Sequence, residues 1–144
     1  MKVVFKAEDH SYTVDGVRWP SVSEILAPLS QLEGIPSAVL EAARDFGTNV
    51  HAAVHLFNLD MLDEPNLDHH LVPYLAGWKQ YLHDTGGVVI ESERVVHNPR
   101  LRYCGTLDSI VECGPDRNRR RALVDIKSGI VPRSVGAQTA AYQQ

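Results

Sequence analysis

The sequence predicts an α+β fold in which strands are gathered at two places and helices lie between and after them. Three observations carry this. Short apolar segments alternate before Pro20, apolar residues recur at three- and four-residue steps between residues 37 and 83, and three β-branched segments follow Gly87 in close succession. At 144 residues the chain has the length of one ordinary domain, enough to bury about two thirds of the surface that its unfolded form would expose.

The first segment reads as a β-meander of VVF (3–5), SYTV (11–14) and VRW (17–19), with Asp15-Gly16 supplying the positive φ values of a two-residue hairpin turn. Pro20 stops it. Ser21 and Glu24 then form the S-x-x-E pattern of a capping box, opening a short helix to about Leu29. After the loop SQLEGIP, Ser37 is expected to cap a long helix to about Asn58, with Val39, Ala43, Phe46, Val50, Ala53 and Phe57 as its inward stripe. A third helix, about Leu67 to His83, carries Leu71, Tyr74, Leu75, Trp78, Tyr81 and Leu82 on one side; Pro73 either lies in its first turn or starts it, and Gly86-Gly87 ends it. VVIESERVV (88–96), YCGTLDSIVEC (103–113) and RALVDIKS (121–128) form an antiparallel meander, joined by HNPRLR and by the charged turn GPDRNRR. Ser134 begins a last helix in which Gln138, Ala141 and Tyr142 share a face. No internal repeat or linker divides the chain, so a single domain over 1–144 is expected.

Composition narrows the classes. With 44% apolar and 22% charged residues the chain is neither disordered, collagenous nor a coiled coil, and no apolar run is long enough for a membrane span. The N-terminus MKVVFKAEDH meets Lys6 and Glu8 before a signal-peptide core could form, so a reducing, cytoplasmic setting is expected. Cys104 and Cys113 match no disulfide, metal or redox spacing and read as small core residues on strands. The net charge of −4 speaks against a polyanionic partner until it is divided. Residues 1–93 hold five basic and fourteen acidic side chains, whereas 94–144 hold nine basic and four acidic, including Arg117, Arg119, Arg120 and Arg121. That run suits an anion, and read by itself it suits a solvated hairpin tip equally well.

Chemistry concentrates on Asp108 in GTLDSI and on Asp125 and Lys127 in VDIKSG. Residues i and i+2 of a strand point the same way, so a carboxylate and an ammonium share one face while Ile126 turns into the core. If the hairpin folds back through its charged turn, Asp108 comes alongside. Two adjacent carboxylates raise each other's pKa unless a cation lies between them, and oxygen ligands suit Mg²⁺ or Mn²⁺. A D-x-K pair alone is usually a surface ion pair worth under about 1 kcal/mol; here it is embedded in the apolar residues Leu123, Val124 and Ile126, where charge is costly without a task. His51 and His55, four apart in HAAVH, share a helical face, but the glutamate of a zinc-hydrolase helix is missing and no further His or Cys completes a tetrahedral set. His55 reads as a satisfied boundary residue, and His10, His69, His70, His83 and His97 as loop or solvated positions. Gln138 and Tyr142, one turn apart, place an amide and a phenol on one side, which without context is a polar helix face.

Together, His51, GTLD with Asp108, DIK with Asp125 and Lys127, and QTAAY with Gln138 and Tyr142 occur in the order and setting of the PD-(D/E)XK nuclease superfamily. The chain most resembles its RecB-like exonuclease branch, as known from phage and bacteria. HSYTVDGVRWPSVSEIL also looks like the entry segment of such proteins, so the resemblance spans about residues 10–144. It implies a restriction-endonuclease-like core, a small mixed or antiparallel sheet flanked by helices, behind the N-terminal meander. It implies that Asp108 and Asp125 bind Mg²⁺ or Mn²⁺ with His51 and the Ile126 carbonyl, that Lys127 positions or activates the attacking water, and that Gln138 and Tyr142 contact DNA and support the site. Glu93 corresponds to a glutamate on the first strand of relatives, with Glu91 on the same face as the alternative. Some relatives hold a four-cysteine iron–sulfur cluster; two cysteines do not suffice for one. The family core runs on to a further strand past the Q-x-x-x-Y helix, so a domain truncated at its C-terminus is expected. The function implied is metal-dependent hydrolysis of DNA phosphodiesters in recombination, repair or phage genome processing, by exonuclease action; a nuclease-like DNA-binding or assembly module that no longer cuts is the alternative.

Overall fold

The computed structural model describes residues 1–29, 34–115, 118–129 and 134–143; Arg117 of the basic run lies outside them. The architecture is α+β, with two three-stranded antiparallel sheets and four α-helices among the described residues. By its contacts the chain falls into two compact units: Met1–Gln31 with Glu93–Leu107 and Val131–Gln144, and Leu32–Ser92 with Asp108–Ile130. No helix among the described residues is long and apolar enough to cross a membrane.

In the first unit, β1 (Val3–Lys6), β2 (Ser11–Val14) and β3 (Val17–Trp19) form the expected meander in the order β1-β2-β3. Asp15 and Gly16 turn the β2–β3 hairpin with φ of 49° and 82°, the pair of positive values that a tight primed turn requires. Tyr12, Val14 and Trp19 bury themselves with Cys104 in a small core, and Tyr12 Oη pairs with Thr106 Oγ1 at 2.8 Å. Ser21 caps α1 (Val22–Leu26): its Oγ accepts from Glu24 N–H (3.0 Å), and the Glu24 carboxylate accepts from Ser21 N–H (2.7 Å). A single 3₁₀ turn, Ala27–Leu29, prolongs it. The last helix, α4, spans Val135–Tyr142, and Tyr103 Oη donates to the Ala141 carbonyl at 2.7 Å.

In the second unit α2 (Ser37–Asn58) and α3 (Val72–Thr85) are the helices, and β4 (Val88–Asn98), β5 (Tyr103–Cys113) and β6 (Arg120–Val124) form a sheet in that order; β4 and β5 run through both units. Val54, Trp78 and Val111 make its core, with Val89, Val124 and Ile126 packed against them. Four expectations are corrected. Ser37 is the first residue of α2 and does not cap it; Pro36 holds the cap position without a side-chain bond. The inward stripe of α2 starts only at Phe46, because Val39 and Ala43 are exposed. The third helix begins at Val72 rather than Leu67: Asp68 accepts the His70 N–H in a turn of its own, and Pro73 fits a first helical turn. The third strand ends at Val124 and does not reach Ser128.

Candidate metal centre

The early end of β6 has a cause that also builds the site. Its register with β5 pairs Ser109 with Val124, so the next step would set Asp108 opposite Asp125, with both side chains on one face. In place of a further ladder bond, the Asp108 carboxylate accepts the Ile126 N–H at 2.6 Å. A side chain has taken over a backbone bond, and the D-I-K segment leaves the sheet.

Asp125 is almost enclosed, its side chain 5% exposed. Lys127 Nζ lies 2.7 Å from Asp125 Oδ2 and is its ion-pair partner. Burial pushes the Asp125 carboxyl above its usual range and the charge of Asp108 adds to this, while Lys127 and His51 oppose it. The i, i+2 logic of the sequence therefore holds for Asp125 and Lys127 although no ladder enforces it.

α2 supplies His51, one turn before the buried Val54. Its Nε2 lies 3.0 Å from the Ile126 carbonyl and its Nδ1 3.4 Å from Asp108 Oδ1. A carbonyl only accepts, so Nε2 carries the proton in that contact; in a neutral ring Nδ1 then turns a lone pair toward a carboxylate. Two acceptors facing each other across this distance are relieved by a positive charge between or upon them. The segment approaches α2 closely because Gly47 leaves room: a Cβ there would stand 3.2 Å from Ser128 Oγ. Tyr74 Oη adds a bond to the Ser128 carbonyl at 3.2 Å.

His51, Asp108 and the Ile126 carbonyl stand close enough to share a divalent ion, with Asp125 the next residue along the chain. Asp125 buries both its oxygens with the Lys127 ammonium against one of them, a charge that needs such compensation when it is taken out of water. The carboxylate and carbonyl donors fit Mg²⁺ or Mn²⁺. Asp68, His69 and His70 also bring three ligand atoms together, but in a fully exposed turn.

Of the residues singled out from sequence, His51, Asp108, Asp125, Ile126 and Lys127 thus meet in one unit. Glu93, Gln138 and Tyr142 belong to the other. Glu93 has a left-handed backbone, φ 51°, inside β4, a mark of a β-bulge, so simple alternation does not set Glu91 and Glu93 on one face. Tyr142 lies against Gly105. Arg119, Arg120 and Arg121 are exposed, with Arg121 Nε 3.8 Å from Glu112. Sequence reasoning missed a polar cluster in the second unit. His55 Nδ1 and Asn58 Nδ2 both meet Ser92 Oγ, at 2.9 and 3.1 Å, and Trp78 Nε1 donates to Asn58 Oδ1 at 2.8 Å. The partners are 34 and 37 residues apart in the chain, and only the His51/His55 spacing hinted at it. No family model, curated protein or solved structure gives a significant match to the chain.

Proposed function

We propose that the chain is a Mg²⁺- or Mn²⁺-dependent deoxyribonuclease of the PD-(D/E)XK type, with β4–β6, α2 and α3 as part of a restriction-endonuclease-like core. The observation that supports it most is the approach of His51 to both Asp108 and the Ile126 carbonyl, with the buried Asp125 next in the chain and Lys127 paired to it at the rim. An ion held by these groups would supply charge neutralisation at a phosphate and a more acidic water. The protein's own groups have distinct tasks. Asp108, fixed by the Ile126 N–H, presents its other oxygen toward His51. Lys127, 26% exposed, can release Asp125 and donate to the charge that develops on the phosphate as the bond breaks. The exposed Arg119, Arg120 and Arg121 offer salt-sensitive, sequence-independent attraction to a phosphate backbone. Digestion of linear and circular DNA with Mg²⁺ or Mn²⁺ tests the reading: the native chain degrades DNA, and Asp125→Ala and Lys127→Ala lose at least about a hundredfold in rate while staying folded. Full activity of Lys127→Ala refutes the assignment.

One observation favours a second reading. Because Lys127 already compensates Asp125, the site can persist without an ion, as in a nuclease-like DNA-binding or assembly module that does not cut. Salt-sensitive DNA binding with no loss of substrate in either cation selects that module.

A further inference from the structure

A helix that carries one ligand of a multidentate site must be fixed in two ways, along its axis and in rotation about it. α2 runs for 22 residues, and its first half is exposed, so its N-terminal turns do not fix His51. Beside the apolar packing of Val50, Ala53 and Val54, a directional polar contact holds the helix one turn beyond His51. His55 and Asn58, three apart on one face, both reach Ser92 Oγ on β4 (2.9 and 3.1 Å). Two residues of one helix meeting one fixed oxygen define both the rotation and the axial register. Trp78 of α3, itself 6% exposed, donates to Asn58 Oδ1 at 2.8 Å. That donation settles which end of the amide is which, leaving Nδ2 for Ser92. The pin therefore joins α2, α3 and β4 through one hydroxyl.

We infer that Ser92, with His55, Asn58 and Trp78, is the positioning device that aims His51 at the Ile126 carbonyl and Asp108. The consequence for catalysis rests on the metal-site reading above; the aiming itself does not. Side-chain tips stand about 6 Å from a helix axis, so a rotation of only about 10° shifts the His51 ring by about 1 Å. An error of that size is on the order of a hundredfold in rate at a reacting centre. Had these groups served only to satisfy one another, an all-apolar replacement would do as well; their convergence on one atom next to a ligand-bearing turn gives them a directional task.

The test uses the full chain with Ser92→Ala, which removes the shared oxygen, and Ser92→Thr, which keeps it. Nitrogen-detected NMR of the His51 ring, without divalent cations, reports the aiming directly. The native chain and Ser92→Thr show a single ring state with Nε2 protonated, and Ser92→Ala shows averaged ring signals. A Mn²⁺ titration then shows affinity falling about 10- to 100-fold in Ser92→Ala and recovering in Ser92→Thr, without a matching difference in melting temperature. An unchanged His51 spectrum in folded Ser92→Ala overturns the inference. If Ser92→Ala does not fold, His55→Leu, which keeps the volume and deletes one arm of the pin, is held to the same spectrum and the same outcome. A native chain that binds no Mn²⁺ overturns the metal reading alone, since the His51 spectrum still decides the aiming.

Discussion

Asp108 has two tasks that substitution can separate, because one needs an acceptor atom and the other needs a charge. Its Oδ2 holds the Ile126 N–H at 2.6 Å in a position 8% exposed. In Asp108→Ala that N–H loses its partner in a place water barely reaches, which costs about 1–3 kcal/mol. Unfolding entropy of about 2.1 cal/mol/K per residue gives roughly 0.3 kcal/mol/K over the 144 residues, so 2 kcal/mol lowers the melting temperature by about 7 °C. In Asp108→Asn the amide oxygen still accepts from Ile126, and the lost charge relieves the repulsion that raises Asp125; stability in EDTA stays within about 1 kcal/mol of native. Binding a ligand at a hundredfold excess over its dissociation constant adds about 2.7 kcal/mol. Native protein therefore gains about 9 °C in excess Mn²⁺, and both variants gain almost nothing. The assay is thermal unfolding of the three proteins in EDTA and in Mn²⁺. An Asp108→Asn variant that keeps the native Mn²⁺ gain refutes the ligand role, and an Asp108→Ala variant as stable as native in EDTA refutes the structural one.

Other outcomes follow from the same coordinates. Ser21→Ala removes the acceptor for Glu24 N–H and costs about 1 kcal/mol, read as a lower urea midpoint. The Ser21 N–H, and to a lesser degree Arg18, hold the Glu24 carboxyl below its usual value. A lowered native pKa means stability that is present above the ordinary carboxyl range and lost as pH falls through the lowered value, so urea midpoints of native and Glu24→Ala protein converge in acid; a constant gap down to pH 2 contradicts this. Gly105→Ala sets a Cβ about 2.5 Å from Tyr142 Cε1; displacing the ring costs about 1–3 kcal/mol, seen as altered Tyr142 NMR signals with a lower melting temperature. Val111→Ala hollows a core position with no exposure and costs roughly 2 kcal/mol, measured by urea unfolding with the β5 amides exchanging faster.

What the sequence made legible is local. Asp15-Gly16 marked the β2–β3 hairpin, Ser21-x-x-Glu24 the capping box, and the 3.6-residue recurrence the existence of α2. Periodicity shows which face could be buried, but not how much of it finds a cover, so Val39 and Ala43 were expected inside and lie in solvent. The end of β6 was unreadable for a different reason: Asp108 competes with backbone for the Ile126 N–H across 18 residues, and no propensity records such a contest. The site was legible in part because strand alternation and hairpin register are geometric rules that need only the turn between the strands. Ser92, Asn58 and Trp78 escaped because each is an unremarkable residue in its own segment, and the sequence gives no measure of their mutual distance.

The two units are assembled from interleaved stretches: the first takes Met1–Gln31, Glu93–Leu107 and Val131–Gln144, while every stretch of the second lies between Leu32 and Ile130. On a ribosome the inner unit can therefore finish while the outer one still waits for its closing segment, and the meander that emerges first must hold its apolar side without its full complement until translation has passed both. No single scission between residues 32 and 130 can release either unit whole as one continuous fragment. Excision of the second unit for separate expression requires joining Leu32–Ser92 directly to Asp108–Ile130, which removes the parts of β4 and β5 nearest their connecting turn.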